Sequence, residues 1–428
     1  MSHAELLARH RKVLPSWLAL YYDRPIELVD GKGCRVVDGE GATYLDFFAG
    51  ILTTMIGYNP PEVVEAVRAQ AGRMVHTSTL YLIRQQVELA ERVAELSGIP
   101  DAKVFFTNSG SEANEAALLL ATTARRSNQV LALRNSYHGR SYAAMGVTGN
   151  RSWSASSFTP VNVSYVHSGY RYRSPFRDLP DDRFIAACVD DLRDVLDTMV
   201  AGPVACMIAE PIQGVGGFAV PPDGMFGAMK EVLDDQGILF VSDEVQTGWG
   251  RTGDHSWGYQ AHGIVPDMLT FAKGLGNGLP IGGVVARAEL MDSVTANSIS
   301  TFGGNPLVAS GALAVLDYLA AHDLTRNARV VGGRLADGLR RLAEDRPAVG
   351  EVRGKGLMQA VELVEPGTRT PAPALAAQLQ EEARRGGLLV GKGGLYGNVV
   401  RIAPPLILTE AEADEGLEIL THAFKTLG

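Results

Sequence analysis

Residues 268–278, MLTFAKGLGNG, place a single lysine, Lys273, between a short apolar run and a glycine-rich turn. A short apolar run bounded by turn residues is typical of a buried strand. Similar runs, separated by stretches of helical pattern, occur between residues 99 and 310: VFF, VLAL, ACMIA, ILFVS, MLTFA and GGVVA. Most of them lack polar–apolar alternation, which predicts strands covered on both faces. Strands that alternate with helices indicate an α/β fold around a mainly parallel sheet.

The two ends of the chain have a different pattern. Residues 1–60 predict a helix followed by short strands, and residues 61–98 are helical, with Met74 at helical spacing from the preceding apolar positions. The sequence after residue 345 predicts strands that end in a helix. We therefore expect a large domain over residues 61–310 and a small α+β domain that combines residues 1–60 with residues 311–428.

Composition excludes several classes of protein. The 428 residues are 46% apolar and 20% charged, as in ordinary globular enzymes. The net charge is −9 with scattered Lys and Arg, which argues against a nucleic-acid partner. No window of about 18 apolar residues predicts a membrane span. The first fifteen residues, MSHAELLARHRKVLP, lack the apolar core of a signal peptide.

Cysteine usage indicates a reducing compartment. The three cysteines, Cys34, Cys188 and Cys206, have no metal-type spacing, and an odd number fits no complete disulfide framework. We therefore expect reduced thiols, no metal site and a cytoplasmic location.

An anion site is predicted at the start of the helix in residues 104–126, VFFTNSGSEANEAALLLATTARR. Ser109, followed three residues later by Glu112, fits a capping box. The first helical amides, at Gly110 and Ser111, would have no intrahelical partner, and the helix dipole favours a negative group such as phosphate there. The alternative is that these residues only cap a helix.

Two candidates follow the VLAL run, in YHGR. Tyr137, with His138 beside it, could stack on a flat ring, and Arg140 could hold a carboxylate by a two-pronged contact. The alternatives are core packing for Tyr137 and a solvated charge for Arg140.

Acidic residues follow two further apolar runs. Asp243 could hold a protonated pyridine nitrogen, or could bind Mg²⁺ together with Glu244. The Mg²⁺ reading needs a P-loop. The nearest match to a P-loop, residues 386–392, is followed by Gly393 instead of Ser or Thr, so we reject the Mg²⁺ interpretation. Glu210 ends another buried run and needs a partner there, either at a site or in a structural salt bridge.

Three more residues complete the set of candidates. A partly buried lysine such as Lys273 loses its proton readily and can bond covalently to a carbonyl carbon. Thr301, in STFGGNP, could donate its hydroxyl to a phosphate, and Arg401, in VVRIAPP, is a second candidate for a carboxylate. The alternative for Lys273 and Arg401 is a surface charge.

The motifs, taken together and in order, resemble those of the class III pyridoxal-phosphate-dependent aminotransferases, which have fold type I. The matching segments are SGSEANE, YHGR, EPIQG, DEVQTGWGRTG, AKGLGNGLP, TFGGNP, RGKGL and RIAPPL, and the likeness extends from about residue 20 to the end. It is closest to the 4-aminobutyrate and alanine–glyoxylate branches, and Arg140 favours the former. The resemblance implies a large domain with a mainly parallel seven-stranded sheet and pyridoxal 5′-phosphate as cofactor.

The resemblance also assigns the cofactor contacts. Lys273 would attach the cofactor and move a proton, and Asp243 would face the ring nitrogen. Tyr137 and His138 would lie at the ring. Further contacts are implied for Gln246 at the ring hydroxyl, Val245 under the ring, and Ser109, Gly110 and Ser111 at the phosphate.

Three arginine and glutamate residues are implied at the substrate. Arg401 would bind the α-carboxylate, Glu210 would neutralise Arg401 in the absence of substrate, and Arg140 would bind a second carboxylate. Thr301 would reach the phosphate of the neighbouring subunit, which implies a homodimer, possibly a tetramer, with a shared site.

The entrance to the site departs from the family. Residues 57–60, Gly-Tyr-Asn-Pro, replace the usual Gly-His before proline. Tyr21, Ile51 and Tyr81 are the expected entrance residues.

The predicted function is ping-pong transfer of an amino group from an amino acid or ω-amine to a keto acid such as 2-oxoglutarate or pyruvate. The alternatives are a phospholyase acting on phosphorylated amino alcohols, an aminomutase, and a protein that binds the cofactor without catalysis.

Overall fold

A seven-stranded sheet lies at the centre of the computed structural model, which describes residues 1–427. The strands are β1 (Leu28–Lys32), β2 (Arg35–Asp38), β3 (Thr43–Asp46), β4 (Ala102–Thr107), β5 (Gln129–Leu133), β6 (Asn162–Val166), β7 (Val204–Ala209), β8 (Leu239–Asp243), β9 (Met268–Phe271), β10 (Gly282–Arg287), β11 (Val349–Lys355), β12 (Met358–Leu363), β13 (Leu388–Leu389), β14 (Gly391–Gly393) and β15 (Val399–Ile402). The helices are α1 (His3–Val13), α2 (Ala49–Leu52), α3 (Pro61–Ala71), α4 (Arg84–Leu96), α5 (Gly110–Arg125), α6 (Tyr142–Gly146), α7 (Asp181–Thr198), α8 (Met225–Asp235), α9 (Ala288–Met291), α10 (Pro306–His322), α11 (Leu324–Ala343), α12 (Pro373–Arg385) and α13 (Glu410–Lys425).

The central sheet has the order β4-β10-β9-β8-β7-β5-β6. Only β10 runs against its neighbours, β4 and β9, while the other pairs are parallel. The carboxyl ends of β4, β5, β7, β8 and β9 therefore lie at one edge of the sheet, where open α/β sheets bind ligands. The predicted α/β class with a mainly parallel seven-stranded sheet is confirmed.

Helices cover both faces of this sheet because alternate residues of each strand point to opposite sides. Leu131 and Leu133 of β5 pack in a buried cluster with α7 and α8. Val130 and Ala132 of the same strand pack in another cluster with α5. This two-sided burial explains why the strands are apolar without alternation.

Two smaller four-stranded sheets, β1-β2-β3-β13 and β11-β12-β15-β14, flank the central one. Strand β13 pairs with β3 in parallel, so residues from both ends of the chain share a sheet, as a small domain made from both ends requires. Helix α10 continues across residue 310 and packs against α3 and α4. The domain boundaries stay a prediction.

Several local expectations differ from the structure. The predicted helical stretch over residues 61–98 is two helices, α3 and α4, because the first ends at Gly72, and Met74 lies exposed in the connecting loop. Strand β6 was missed because its sequence, NVSYV, mixes polar and apolar residues. Helix α12 was missed within a region that we expected to form strands.

Within residues 1–427 no single helix is both long and apolar enough to cross a membrane. Helices α10 and α11 meet that criterion only when they are counted together, and they are bent by 68° relative to each other.

Candidate active site

Lys273 lies two residues beyond the end of β9, at the first position of a 3-10 turn, Lys273–Gly276. Its φ is 43°, in the left-handed region that residues with side chains rarely adopt and that is often found at functional sites. The side chain is partly buried, and its ammonium group has no hydrogen-bond or ion-pair partner among the described residues. Loss of water around the ammonium group lowers the pKa of Lys273 to about 8. The charge of Arg401 lowers it further, and the charges of Asp243 and Glu210 oppose this shift.

Asp243 ends the neighbouring strand β8 and is buried. Its Oδ2 accepts a hydrogen bond from Nδ2 of Asn114 at 2.8 Å and lies 2.7 Å from Nδ1 of His138. Its Oδ1 accepts a hydrogen bond from the amide of Val245 at 3.2 Å. Because its partners supply hydrogen-bond donors, the Asp243 carboxylate is held in place to face a ring nitrogen.

Asn114 is a site residue that the sequence analysis missed. Besides its bond to Asp243, its Nδ2 donates to the carbonyl of His138 at 2.7 Å. Its Oδ1 accepts from the hydroxyl of Thr270, on β9, at 2.7 Å. The residue thus ties Asp243 to the two neighbouring segments. The available signal was an asparagine on the buried face of α5, in line with Ala117, Leu118 and Ala121.

Two buried polar atoms close to this group have no partner within residues 1–427: Nε2 of His138 and Oε1 of Gln246. Orphaned buried polar atoms are uncommon in proteins and point to a missing partner. Gln246 lies close to Gly214, where a Cβ would be only 2.1 Å from its Nε2. The donors, the carboxylate and these free polar atoms fit the substituted pyridine ring of pyridoxal phosphate.

The amino end of α5 supplies the anion site. Gly110 and Ser111 occupy the first two helical positions, where no intrahelical carbonyl is within reach of their amides. A Cβ at Gly110 would lie 3.1 Å from Val245, so Val245 packs against the start of this helix. The phosphate of the cofactor fits this position.

The predicted capping box is only half formed. The hydroxyl of Ser109 accepts from the amide of Glu112 at 3.2 Å, as expected. The carboxylate of Glu112, however, accepts from the amide of Asn108 at 2.7 Å and not from that of Ser109. The amide of Ser109 is therefore not used by Glu112.

Glu210 follows β7 and is held by backbone amides. Its Oε2 accepts from the amide of Tyr137, and its Oε1 from the amide of Gly214, both at 2.9 Å. Burial raises the pKa of Glu210 to about 7, and the charge of Asp243 adds to this effect, while His138 and the two amides oppose it. The half-buried ring of Tyr137 stands edge-on to Trp153, with 5.6 Å between the ring centres.

Arg401 is buried in β15, where its guanidinium donates hydrogen bonds to backbone carbonyl oxygens. Its Nε and Nη2 donate to the carbonyl of Lys392 at 3.2 and 2.9 Å, and its Nη1 donates to that of Gly214 at 3.2 Å. Its guanidinium carbon lies 4.9 Å from the ring centre of Phe48. Burial lowers the pKa of Arg401, and the nearby Tyr21 and Glu210 oppose that effect.

The expected ion pair between Glu210 and Arg401 is not formed in this structure. No carboxylate within residues 1–427 lies within 4 Å of the Arg401 guanidinium, because the Glu210 oxygens are bonded to backbone amides. The surface-charge alternative for Arg401 is also wrong, since the side chain is buried. A buried guanidinium without an anion favours the arrival of one.

Two expected site residues, Arg140 and Thr301, do not join the buried group. Both are exposed, and neither side chain has a hydrogen-bond or ion-pair partner among the described residues. The guanidinium of Arg140 lies 5.9 Å from the ring centre of Trp17, although its amide donates to the hydroxyl of Ser111 at 3.2 Å.

The expected entrance residues are also spread out. Tyr21 stacks on Phe48 with 6.2 Å between the ring centres, whereas Ile51 and Tyr81 are exposed. Tyr58, the residue that departs from the family, is bonded through its hydroxyl to Asp46 at 2.5 Å.

Glu244 does not join Asp243 at a common point. Its carboxylate accepts from the amides of Gly258 and Tyr259, each at 2.8 Å, and from the hydroxyls of Ser242 and Thr247. These bonds use Glu244 to fix the loop after β8, so the pair does not offer two free carboxylates to Mg²⁺.

Comparison with known proteins shows the family to which the chain belongs. The family model "Aminotransferase class-III" matches residues 21–424. A mitochondrial alanine–glyoxylate aminotransferase 2 homologue from Arabidopsis thaliana is 39% identical, over 99% of this chain and 87% of its own length.

Solved structures show the same fold. An (S)-enantioselective omega-transaminase from Thermomicrobium roseum superposes with a TM-score of 0.92 at 35% identity, covering 100% of this chain and 99% of its own. A PLP-bound amine transaminase from an uncultivated Pseudomonas species gives 0.91 at 33%, covering 97% and 98%. A phospholyase from Arthrobacter, in complex with phosphoethanolamine, gives 0.91 at 31%, covering 99% and 100%.

The length of the family match and the sequence identities to these proteins indicate a single family. The chain belongs to the class-III aminotransferases, and with pyridoxal 5′-phosphate as cofactor it moves an amino group from an amino donor to a keto acid.

Proposed function

We propose that this aminotransferase accepts amino donors that carry a carboxylate, that Arg401 binds this carboxylate, and that Lys273 carries the cofactor and moves the proton. The observation behind this proposal is the buried guanidinium of Arg401, which lies without an acidic partner and close enough to Lys273 to lower its pKa. A substrate carboxylate would supply the missing anion and set the donor nitrogen near Lys273.

The remaining cofactor contacts belong to the same proposal. Asp243 holds the protonated ring nitrogen, and bound pyridoxal phosphate supplies an electron sink for the substrate carbanion. Tyr137 and Val245 would flank the ring, and Gln246 and His138 would offer it polar atoms. Ser109 and the amides of Gly110 and Ser111 would hold the phosphate.

Lys273 is suited to proton transfer because a pKa of about 8 leaves a useful fraction of neutral amine near pH 7. The neutral amine takes the proton from the substrate carbon and returns it one bond away. Glu210 fixes Tyr137 and Gly214, and thereby both the ring wall and one carbonyl that holds Arg401.

Phospholyase activity is the second candidate, since a phospholyase has the same fold. A second phosphate group would need cations at the entrance. Arg140 is exposed and pairs with no acid among the described residues, so we propose it either for this second phosphate or for the second carboxylate of a dicarboxylic substrate.

We also propose that two copies form a homodimer, possibly within a tetramer, in the cytoplasm. Thr301 and its neighbour Phe302 are exposed in one loop, and Leu80, Tyr81 and Leu82 are exposed in another. These two loops, whose exposed residues we call the apolar patch, are joined by the ring contact of His76 with Phe302 at 5.0 Å. Exposed apolar patches commonly mark interfaces, and a second copy would bring the partner subunit's Thr301 to the phosphate.

Turnover tests the proposed function. The holoenzyme with an amino donor such as alanine or 4-aminobutyrate should lose its yellow absorbance, and pyruvate or 2-oxoglutarate should restore it. Lys273→Ala should abolish both steps because no amine remains to move the proton, whereas Lys103→Ala, at an exposed ion pair, should not. Wild-type turnover by Lys273→Ala, or product formation without a keto acid, would contradict the proposal.

Cofactor loading should depend on pH around 8. Only the neutral amine of Lys273 can bond to the cofactor, so the loading rate of the apoenzyme should rise between pH 6 and 8 and then level off. Arg401→Met removes a charge that lowers this pKa and should move the midpoint upward. Stopped-flow absorbance measures the loading rate against pH and thus gives the midpoint for each of the two proteins. A rate that still rises tenfold per pH unit at pH 9 would show an ordinary lysine.

Asn114→Ala should weaken cofactor binding about tenfold, because Asp243 and the His138 carbonyl each lose a donor. Asn327→Ala is the matched control. It removes two side-chain bonds, to the carbonyls of Leu406 and Leu408, whereas Asn114→Ala removes three, one of them at Asp243. Titration of each apoenzyme with pyridoxal phosphate gives the affinity. Equal affinities for the two variants would refute a role for Asn114 at the cofactor.

The dimer should fail when the apolar patch is charged. Leu82→Asp, at a side chain that is 98% exposed, should give monomers with weak cofactor retention, because a carboxylate is costly to bury in an interface. Met199→Asp, at an exposed position at the end of α7, should remain dimeric. Light scattering after gel filtration distinguishes monomers from dimers. A dimeric Leu82→Asp variant would exclude the apolar patch as the dimer interface.

A further inference from the structure

Arg353 and Arg401 lie in one cross-strand row of the four-stranded sheet formed by β11, β12, β15 and β14. Arg353 pairs with Ala360, and Ala360 pairs with Arg401. Residues directly opposite each other on neighbouring strands share a face of the sheet. The small, fully buried Ala360 leaves room between the two guanidinium groups.

Both arginines bond to the same turn, residues 214–218, which we call the glycine turn. Nε and Nη2 of Arg353 both donate to the carbonyl of Gly217, at 2.9 and 2.7 Å. Nη1 of Arg401 donates to the carbonyl of Gly214 at 3.2 Å. The turn is closed by the amide of Gly217, which donates to that same Gly214 carbonyl at 3.1 Å. A shift of the Gly217 end therefore moves the Gly214 carbonyl, which is one of the two carbonyl oxygens that hold Arg401, the other being that of Lys392.

The close fit of Arg353 depends on glycine at position 217. Its φ is 96°, a conformation that side chains rarely allow. A Cβ there would lie 3.0 Å from Nη2 of Arg353 and from Val399. The guanidinium of Arg353 thus packs directly on the backbone of the turn.

The two arginines differ in charge balance. Nη1 of Arg353 donates to Glu362 at 2.7 Å and to Glu351 at 2.5 Å. Glu362 is fully buried and also accepts from Arg173 at 2.6 Å and from the hydroxyl of Tyr170. Burial alone would raise the pKa of Glu362, but the charge of Arg353 and the other donors hold it below its ordinary value.

Arg353 is therefore a neutralised cation that can serve as a fixed support. Arg401, in the same row, has no carboxylate within 4 Å among the described residues and remains able to bind an anion.

We propose that Arg353 is a positioning residue for substrate recognition: it holds the glycine turn, and the turn fixes the guanidinium of Arg401 in the orientation that binds the donor carboxylate. This inference rests on the proposed role of Arg401. Arg353 itself touches no part of the site, so its effect should be confined to ligands that carry a carboxylate.

Arg353→Lys is the informative substitution. Lysine keeps the positive charge beside Glu362 but cannot grip one carbonyl through two nitrogens while a third nitrogen bonds the carboxylates. The Gly217 end of the turn would loosen with the charge balance intact. Arg401 would then spend less time in its binding orientation, and a small misplacement of this kind can cost up to about a hundredfold.

The test uses two reagents that bond to the cofactor of the holoenzyme. Aminooxyacetate carries a carboxylate, and O-methylhydroxylamine does not. The ratio of their second-order rates, followed by loss of the yellow absorbance, reports carboxylate recognition without turnover. Arg353→Lys should lower this ratio about tenfold or more, mainly by slowing aminooxyacetate.

Three further variants separate the explanations. Arg401→Met should lower the ratio at least as much, which tests the proposed function by itself. Arg173→Lys disturbs the same Glu362 without touching the glycine turn and should leave the ratio unchanged. Glu351→Gln loosens Arg353 from a partly exposed position and should lower the ratio by a smaller factor, which covers the case in which Arg353→Lys does not fold.

The outcomes are distinct. A lowered ratio in Arg401→Met with an unchanged ratio in Arg353→Lys or in Glu351→Gln overturns the role of Arg353. An unchanged ratio in Arg401→Met overturns the proposed role of Arg401 instead. If Arg173→Lys lowers the rate ratio as much as Arg353→Lys does, the effect comes from the charges around Glu362 in general. That result also overturns the inference.

Discussion

The convergence of strand carboxyl ends at one edge of the central sheet is the constraint on which the site depends. Strands β4, β5, β7, β8 and β9 all end there because only β10 runs in the opposite direction. Short connections at that edge place the start of α5 beside Asp243 and Lys273. Charged side chains and polar backbone groups are buried together at this edge. Each buried carboxylate there therefore accepts hydrogen bonds from other groups of the protein.

The buried charges are balanced in separate ways. Asp243 receives side-chain and backbone donors, and Glu210 receives two amides, so neither acid needs a cation. Lys273 and Arg401 are therefore left without acidic partners, and burial lowers the pKa of both. For Lys273 the result is a reactive amine, and for Arg401 it is an open position for an anion. The same region is thus prepared for an imported phosphate, an aromatic ring and a carboxylate.

The sequence was informative wherever a residue type and its place on the chain jointly imply a chemistry. Apolar runs identified most strands of the large sheet, and the residue after each run identified Asp243, Lys273 and Glu210. Side-chain pairing could not be predicted in this way. Glu210 was expected to pair with Arg401, but backbone amides that fold back from Tyr137 and Gly214 hold it instead.

Other misses have similar physical causes. Asn114 is separated from Asp243 by 129 positions in the chain, and only the fold brings them into contact. Thr301 and Arg140 are exposed in the single chain. Nothing in that chain indicates which molecule covers them. Strand β6 is only partly buried, so its sequence lacks the continuous apolar run that marked the other strands.

We propose that Lys273 is the residue to which the cofactor is attached. Borohydride reduction of the yellow holoenzyme would fix the bond permanently, and peptide mapping by mass spectrometry would locate it. We expect the phosphopyridoxyl group on the peptide that contains Lys273 and on no other lysine. A label on a different lysine, or a reduced protein without a label, would contradict this account.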